Sequence, residues 1–536
     1  MGKLTSIIWI SLCIAVTACS SSENDTPATS SSENSAPAAH SSDKSTASKS
    51  DSLSGSRPNI IFVITDDQGM GDFSFTGNEI VQTPKIDQLA RQSTRFTDFH
   101  VSPTCAPTRA ALMSGRRPFE VGVTHTIFQR ERMALDVVTF PEALQKAGYT
   151  TGLFGKWHLG DEEEYLPQNR GFDEVLMHGS GGIGQYIYGD FKANSDNRYF
   201  DNVLLHNDTV VKTEGFCTDI FFDAALSWIK KKNRAEQPYF ALISLNAPHG
   251  PMIAPEKYKK RFLDEGYDED AAARYGMIEN IDDNVGQLMT KLDEWHALEN
   301  TLVIFMTDNG MAMAPFTKGD ERLIPYNAGM RGAKNSSFEG GTHVPSLWYW
   351  KGVLEENSDV DALTAHVDMY RTFADLAGAD IPESTLRPGG RSLVPLLENP
   401  NAHWEDRHLF VHIGRWGSDD KSNGRPYKDS KYAGSAVRSE RWRLVYSMKK
   451  KSLDPTVHVH LSDINEDPSE TTNLVDQYPE VVKELSAAYD VWWEETRPLM
   501  VNEGLPQIAP TDTHFTHLYD TQSKESEIPL WAPDPY

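Results

Sequence analysis

Asp66 and Asp67 close the apolar run Asn59-Ile60-Ile61-Phe62-Val63-Ile64-Thr65, and Asp308, Asn309 and Gly310 close a second run that begins at Thr301. Brought together, three carboxylates and a carboxamide form an all-oxygen ligand set, which suits a hard divalent cation. Ca²⁺ is favoured over Zn²⁺, because neither histidine nor thiolate stands at those two ends, and Mg²⁺ fits the same donors. A single acidic pair would read as an ordinary strand-to-loop turn, where Asp, Asn and Gly abound. Two of them, far apart in the chain and each ending an apolar run, point to a metal.

Cys105 follows Pro103-Thr104 and precedes Ala110-Ala111-Leu112-Met113, a series of good helix formers. The spacing predicts a cysteine in the first turn of a helix, where the helix end favours an anion and acidifies a thiol. The ordinary alternatives are a packed structural cysteine or a disulfide with Cys217. Two further apolar runs also end in chemistry: Thr150 to Phe154 leads to Lys156 and His158, and Tyr239 to Leu245 leads to Ala247-Pro248-His249. Taken singly, each of these residues has a structural reading, as a satisfied histidine or a solvated lysine.

The apolar runs are continuous rather than alternating, so both faces of their sheet are expected to be buried. Between them lie helical patterns at Asp219–Lys232 and Ala271–Trp295, the latter with Tyr275, Ile278, Ile281, Val285, Leu288 and Leu292 on one face. Strands alternating with helices predict an α/β sandwich with a large, mostly parallel sheet, whose ligands sit at the carboxyl ends of the strands. All four polar termini should therefore converge on one sheet edge. After about Lys351 the texture changes. A helix near Leu363–Ala377, a polar loop through Ser418–Lys431, a strand-like Ser435–Ser447 and a helix at Pro479–Thr496 predict a smaller α+β unit, and residues 498–536 show no clear element.

The amino terminus carries Lys3, then an apolar stretch from Leu4 to Val16, too short to span a bilayer and placed where a secretory signal belongs. It ends in Val16-Thr17-Ala18-Cys19, which resembles the lipobox of bacterial lipoproteins, with Cys19 as the lipidated residue and membrane anchor. Ser20 beside it suits the outer membrane. The stretch to Ser56 is Ser-rich and nearly free of large apolar side chains, so it reads as a disordered tether. The expected divisions are thus a signal at 1–18, a tether at 19–56, a catalytic unit at 57–355, a smaller unit at 356–496 and a tail at 497–536. The net charge of −26 excludes a duplex-binding surface and requires any anionic ligand to meet local positive charge.

Cys105-Ala106-Pro107-Thr108-Arg109, continuing to Leu112-Met113-Ser114-Gly115-Arg116, closely resembles the signature of the type I, formylglycine-dependent sulfatases. The resemblance implies an alkaline-phosphatase-like fold with an antiparallel sheet in the smaller unit, and oxidation of Cys105 to formylglycine (3-oxoalanine) by a formylglycine-generating maturation enzyme. It also implies a Ca²⁺ held by Asp66, Asp67, Asp308, Asn309 and the modified Cys105. Gly155-Lys156-Trp157-His158 and Ala247-Pro248-His249 resemble the family's Lys/His elements, and Arg331-Gly332-Ala333-Lys334 the element of its second lysine. Pro388-Gly389-Gly390-Arg391 and Leu461 to Pro468 extend the likeness into the smaller unit.

The implied reaction is hydrolysis of a sulfate monoester. Arg109 and the metal orient the nucleophile, Asp308 assists its deprotonation, and Lys156 binds sulfate oxygens. His249 and Lys334 serve the leaving group, and His158 takes a proton from the second hydroxyl. An exported, anchored enzyme of this kind suggests sulfated carbohydrate from an external polysaccharide as substrate. A phosphonate monoester or phosphodiester hydrolase of the same superfamily and a non-catalytic receptor for sulfated glycans are the alternatives. His125, His178, Tyr186, His412, Arg415 and Trp416 remain without an assigned role.

Overall fold

The computed structural model describes residues 52–196, 198–382, 389–416, 430–447, 457–506 and 508–536. Cys19, the expected signal and nearly all of the tether lie outside these residues, as do Pro388 and positions 418–429 of the polar loop. Ten strands form the main sheet: β1 (Asn59–Thr65), β2 (Thr94–Phe96), β3 (Thr150–Lys156), β4 (Glu174–His178), β5 (Val203–His206), β6 (Thr209–Lys212), β7 (Tyr239–Ser244), β8 (Thr301–Thr307), β9 (Ser346–Tyr349) and β10 (Ser358–Val360). Their spatial order is β10-β2-β9-β8-β1-β7-β3-β4-β5-β6. The five central strands, from β8 to β4, are mutually parallel. Thr307, Thr65, Ser244, Lys156 and His178 therefore end side by side on one edge, which is the convergence expected from the apolar runs.

The continuous runs bury both faces. Ile60, Phe62 and Ile64 pack in one core with Phe240, Leu242, Leu302 and Ile304, whereas Ile61 and Val63 pack in another with Ile243, Val303 and Phe305. The helices Cys217–Arg234 and Glu269–Glu294 cover the second face through Phe221, Ala225, Ile229, Ile281, Val285 and Leu288. Met369–Ala377 covers the first through Met369, Tyr370 and Phe373.

A separate antiparallel sheet joins β11 (Leu409–His412), β12 (Ser435–Arg438), β13 (Trp442–Ser447) and β14 (His458–Asp463) in that order. The helix Pro479–Thr496 lays Leu485, Tyr489, Trp492 and Trp493 against Val437, Leu444 and Leu461. Residues Ser52–Tyr536 nevertheless pack as one compact unit.

Several expectations need correction. β10 belongs to the large sheet, so that sheet runs past residue 355. The strand-like Ser435–Ser447 is a hairpin, because Ser439-Glu440-Arg441 turns and the Ser439 N–H closes on the Trp442 carbonyl. The helix expected from Leu363 begins at Met369, since Thr364 and Ala365 pair with Phe99 and His100. Ordered contacts begin before Arg57: the Gly55 N–H donates to the Asp375 carbonyl. The tail, read as featureless, forms the helix His514–Glu525, capped by the Thr513 side chain and anchored by buried Phe515. Beyond it, Leu530 bridges to Lys212 of the edge strand β6.

Candidate active site

Asp66 and Asp67 follow directly on β1, and Asp308 and Asn309 on the neighbouring β8. Asp67 takes a left-handed backbone (φ 66°), which lets its N–H donate to Asp308 Oδ1 at 3.1 Å. Such a conformation is costly for a residue with a Cβ and clusters at functional sites. The helix Cys105–Ser114 is wholly buried, with Cys105 as its first residue and Gly115 ending it in the left-handed region. Pro107 is tolerated because it falls in the first turn, where no intrahelical acceptor is lost. Cys105 Sγ and carboxylate oxygens of Asp66 and Asp308 lie within 4.8 Å of one another. Both Cys105 and Cys217 are free thiols, so the disulfide alternative does not hold.

Positive charge surrounds this cluster. Lys156 Nζ lies 2.6 Å from Asp66 Oδ2, both fully buried. Arg109 reaches Asp308 Oδ2 with Nη2 at 2.9 Å and Nε at 3.2 Å, and its Nη1 donates to the Lys156 carbonyl at 3.1 Å and to Ser244 Oγ at the end of β7. Lys334 Nζ pairs with Asp67 Oδ1, which also accepts from Asn309 Nδ2 at 2.9 Å. His249 Nε2 stands 3.8 Å from Asp67 Oδ2, and its Nδ1 is bonded to the Gly250 carbonyl. The predicted catalytic and metal-ligating residues, Cys19 aside, are thus gathered about one sheet edge.

These neighbours shift the ionisations. Burial pushes Asp308 up to about 7, with Asp66 adding to the rise and Arg109 opposing it. Burial likewise lifts Asp66 to about 6 against the pull of Lys156. For Asp67, burial is outweighed by Lys334, His249 and the Asn309 amide, which hold it below the usual carboxylate range. Lys156 and Lys334 overcome the burial of Cys105 and pull its thiol down.

The donor set fits a hard cation. Asp66 Oδ1 and Asn309 Oδ1 are buried without a hydrogen-bond partner, beside the cluster that includes Asp308 and Cys105. Orphaned buried oxygens of this kind are costly unless something electropositive meets them.

Glu131 is a site residue that sequence reasoning missed. Its Oε2 lies 3.2 Å from His158 Nε2, in a pair that is almost fully buried. The Nε2–H is aligned on the Thr126 carbonyl at 3.0 Å, so Glu131 acts on the ring as a charge. His158 Nδ1 is left buried and unpartnered, as the lone-pair side of the ring. Burial and Lys156 hold His158 down at about 4, and burial lifts Glu131 to about 7. The run Gln129-Arg130-Glu131-Arg132 has no motif or periodicity in the sequence that would signal this contact.

His178 ends β4 on the same edge, with Nε2 buried and unpartnered. A second gathering, Asp98, His100, Glu339 and His343, is neutralised by Arg438 and Arg443 and joins the two sheets.

The matching family model, described as Sulfatase, covers residues 58–379, and a second, described as N-sulphoglucosamine sulphohydrolase, C-terminal, covers residues 333–491. The chain belongs to the sulfatase family. It is thereby a sulfuric ester hydrolase of the alkaline phosphatase superfamily. Among sulfatases it is 28% identical over 517 residues to the uncharacterized sulfatase YdeN of Escherichia coli (strain K12), covering 82% of this chain and 86% of that protein. It is 30% identical over 378 residues to the N-acetylgalactosamine-6-sulfatase of Homo sapiens, covering 67% of this chain and 68% of that one. The crystal structure of Ps i-CgsB in complex with k-i-k-neocarrahexaose superposes with a TM-score of 0.67 at 26% identity, over 88% of this chain and 97% of the other.

Proposed function

We propose that this sulfatase hydrolyses sulfate monoesters of carbohydrates through Cys105 matured to formylglycine, beside a Ca²⁺ held by Asp66, Asp67, Asp308 and Asn309. The observation that carries the reading is Cys105 at a helix start, packed against two strand-end carboxylates and ringed by Arg109, Lys156 and Lys334. The sugar substrate is supported by relatives that include an N-acetylgalactosamine-6-sulfatase and Ps i-CgsB, crystallised in complex with k-i-k-neocarrahexaose. When present, Ca²⁺ supplies positive charge for the sulfuryl oxygens, and the formylglycine hydrate supplies a geminal diol.

The remaining chemistry falls to the chain's own side chains. Arg109, fixed by Asp308, Ser244 and the Lys156 carbonyl, orients the nucleophilic centre at residue 105. Asp308, its Oδ2 held by Arg109 and its Oδ1 by the Asp67 N–H, is fixed beside residue 105 to assist removal of the nucleophile's proton. Lys156 faces the sulfate oxygens. Lys334 is held charged by Asp67 although burial opposes it, and with His249 Nε2 it serves the departing alcohol. His158 Nδ1, the free side of its ring, accepts the proton of the second hydroxyl. Such preorganised charge is the dominant source of rate enhancement in sites of this type.

Export and anchoring rest on Leu4–Val16 and on Val16-Thr17-Ala18-Cys19, with lipid on Cys19 tethering the enzyme to the outer membrane. The decisive assay compares release of sulfate from sulfated oligosaccharides with turnover of 4-nitrophenyl phosphate and phosphonate esters. Equal or greater phosphoesterase efficiency overturns the reading, and binding without sulfate release replaces it with a glycan receptor. Mass spectrometry of the Cys105 peptide should find an aldehyde in place of the thiol. Cys105→Ser should lose multiple turnover, and full activity in that variant removes the mechanism.

A further inference from the structure

Gly414 and Arg415 carry the chain from β11 of the smaller sheet onto the catalytic unit. A Cβ at Gly414 would fall 2.2 Å from the Thr124 carbonyl, so only glycine allows this approach. Arg415 is itself left-handed (φ 58°), and its N–H donates to the same carbonyl at 3.0 Å. Its guanidinium bridges two loops: Nε and Nη2 donate to Thr126 Oγ1, the former at 3.1 Å, and Nη1 donates to Asn335 Oδ1 at 2.5 Å. The Thr126 carbonyl holds His158, and Asn335 follows Lys334, its own N–H bonded to the Pro103 carbonyl at 2.9 Å. Arg415 therefore stands between the loop whose Thr126 carbonyl contacts His158 and the loop that carries Lys334.

Its charge is unusual in this surrounding. Neighbouring Arg130 is neutralised by Glu503 at 2.8 Å, and Arg109 by Asp308. The hydrogen bonds of Arg415 among the described residues go to neutral oxygens only. A guanidinium has five N–H groups, and these bonds engage three of them among the described residues. A part-exposed arginine with no carboxylate partner among the described residues, in a chain of net charge −26, is suited to an incoming anion, and its planar fork matches sulfate or carboxylate.

We propose that Arg415 forms a second anionic subsite, which reads a further sulfate or a carboxylate on the sugar that carries the scissile ester. The proposal rests on the sulfated-carbohydrate reading of the site and adds that the preferred substrate bears at least two anionic groups. Arg415 is then a specificity residue supplied by the smaller unit.

The test measures kcat and KM for wild type, Arg415→Gln and Arg415→Lys on 4-nitrophenyl sulfate, a neutral monosulfated sugar, a disulfated sugar and a sulfated uronate-containing disaccharide. Gln keeps amide donors for Thr126 and Asn335 without the charge. Loss of one charge-assisted contact should raise KM about 10- to 100-fold on one or both dianionic sugars, with Lys intermediate, while the two monoanionic substrates change less than about threefold. Which dianion suffers identifies sulfate or carboxylate as the group read. Equal losses on all four substrates would show that Arg415 only holds the loops, and no loss on the dianions would show that it makes no contact; either overturns the proposal. Wild-type activity on the aryl ester but on no sugar would instead sink the carbohydrate reading, and this proposal with it.

Discussion

Glu131→Gln separates stability from catalysis in this site. The carboxylate lies 3.2 Å from His158 Nε2 in a buried pocket, and Gln keeps its shape while removing its charge. At an effective dielectric near 20, an ion pair a few ångströms apart is worth about 4 kcal/mol, and about 1–3 kcal/mol of that should reach a transition state in which His158 gains a proton. The expected loss in kcat at pH 8 is therefore about 10- to 100-fold.

Stability should move the other way. Burial lifts the Glu131 pKa from 4.5 to about 7, so between those values the folded protein holds a proton that the unfolded chain has released. Wild-type stability contributed by this group falls as pH rises through that window, by about 3 kcal/mol in all. Glu131→Gln escapes that fall. It should melt near wild type at pH 5 and relatively higher at pH 8, while its kinetic deficit shrinks as pH drops below 7 and wild-type Glu131 takes up its proton. The assay is 4-nitrophenyl sulfate turnover with parallel thermal melts from pH 5 to 9. A variant within twofold of wild-type kcat at pH 8, or one whose melting temperature falls in step with its activity, would refute the reasoning.

Three further outcomes follow from other parts of the molecule. Added Ca²⁺ at about a hundred times its Kd should stabilise chelated wild type by about 3 kcal/mol, read as a rise in melting temperature, and Asp308→Asn should lose most of that rise; an equal rise in both proteins removes Asp308 from the metal site. Arg443→Ala takes a fully buried guanidinium from Glu339 (2.6 Å), the Ser337 carbonyl and Thr342 Oγ1. It should cost about 3–5 kcal/mol in urea unfolding, and a cost below about 1 kcal/mol means that the network between the sheets is not structural. Deleting residues 527–536 uncovers edge strand β6, where Lys212 bonds with Pro529 and Trp531, so light scattering should detect association that the full chain lacks.

The central sheet was legible because its strands are continuous apolar runs ending in abrupt polarity, and two-sided burial leaves no other place for Ile60 to Ile64 or Leu302 to Met306. The same logic placed Asp66, Asp308 and Lys156, since parallel neighbours end together. Elements held by tertiary contact were not legible. β10 is three residues long and exists because β2 pairs with it, and the His514–Glu525 helix depends on Phe515 reaching the core. Glu131 was hidden for a related reason, since its loop has no periodicity and only the fold sets it against His158.

Charge balance explains how so acidic a chain can hold an anionic ester. Asp66, Asp67 and Asp308 carry three potential negative charges, and Lys156, Lys334 and Arg109 answer them one for one. Taken alone, those six groups form a neutral cluster that has no surplus for a substrate. Yet Asp66 Oδ1 and Asn309 Oδ1 remain buried and unbonded within it. A divalent cation on those oxygens would supply the missing surplus, at the point where the residue-105 nucleophile and the sulfuryl group must meet. The neutral frame positions the nucleophile, and the metal turns that frame into an anion site. Chelation should therefore raise KM for sulfate esters as well as lower kcat, whereas removing a metal that served only the fold would lower both stability and kcat and leave KM unchanged.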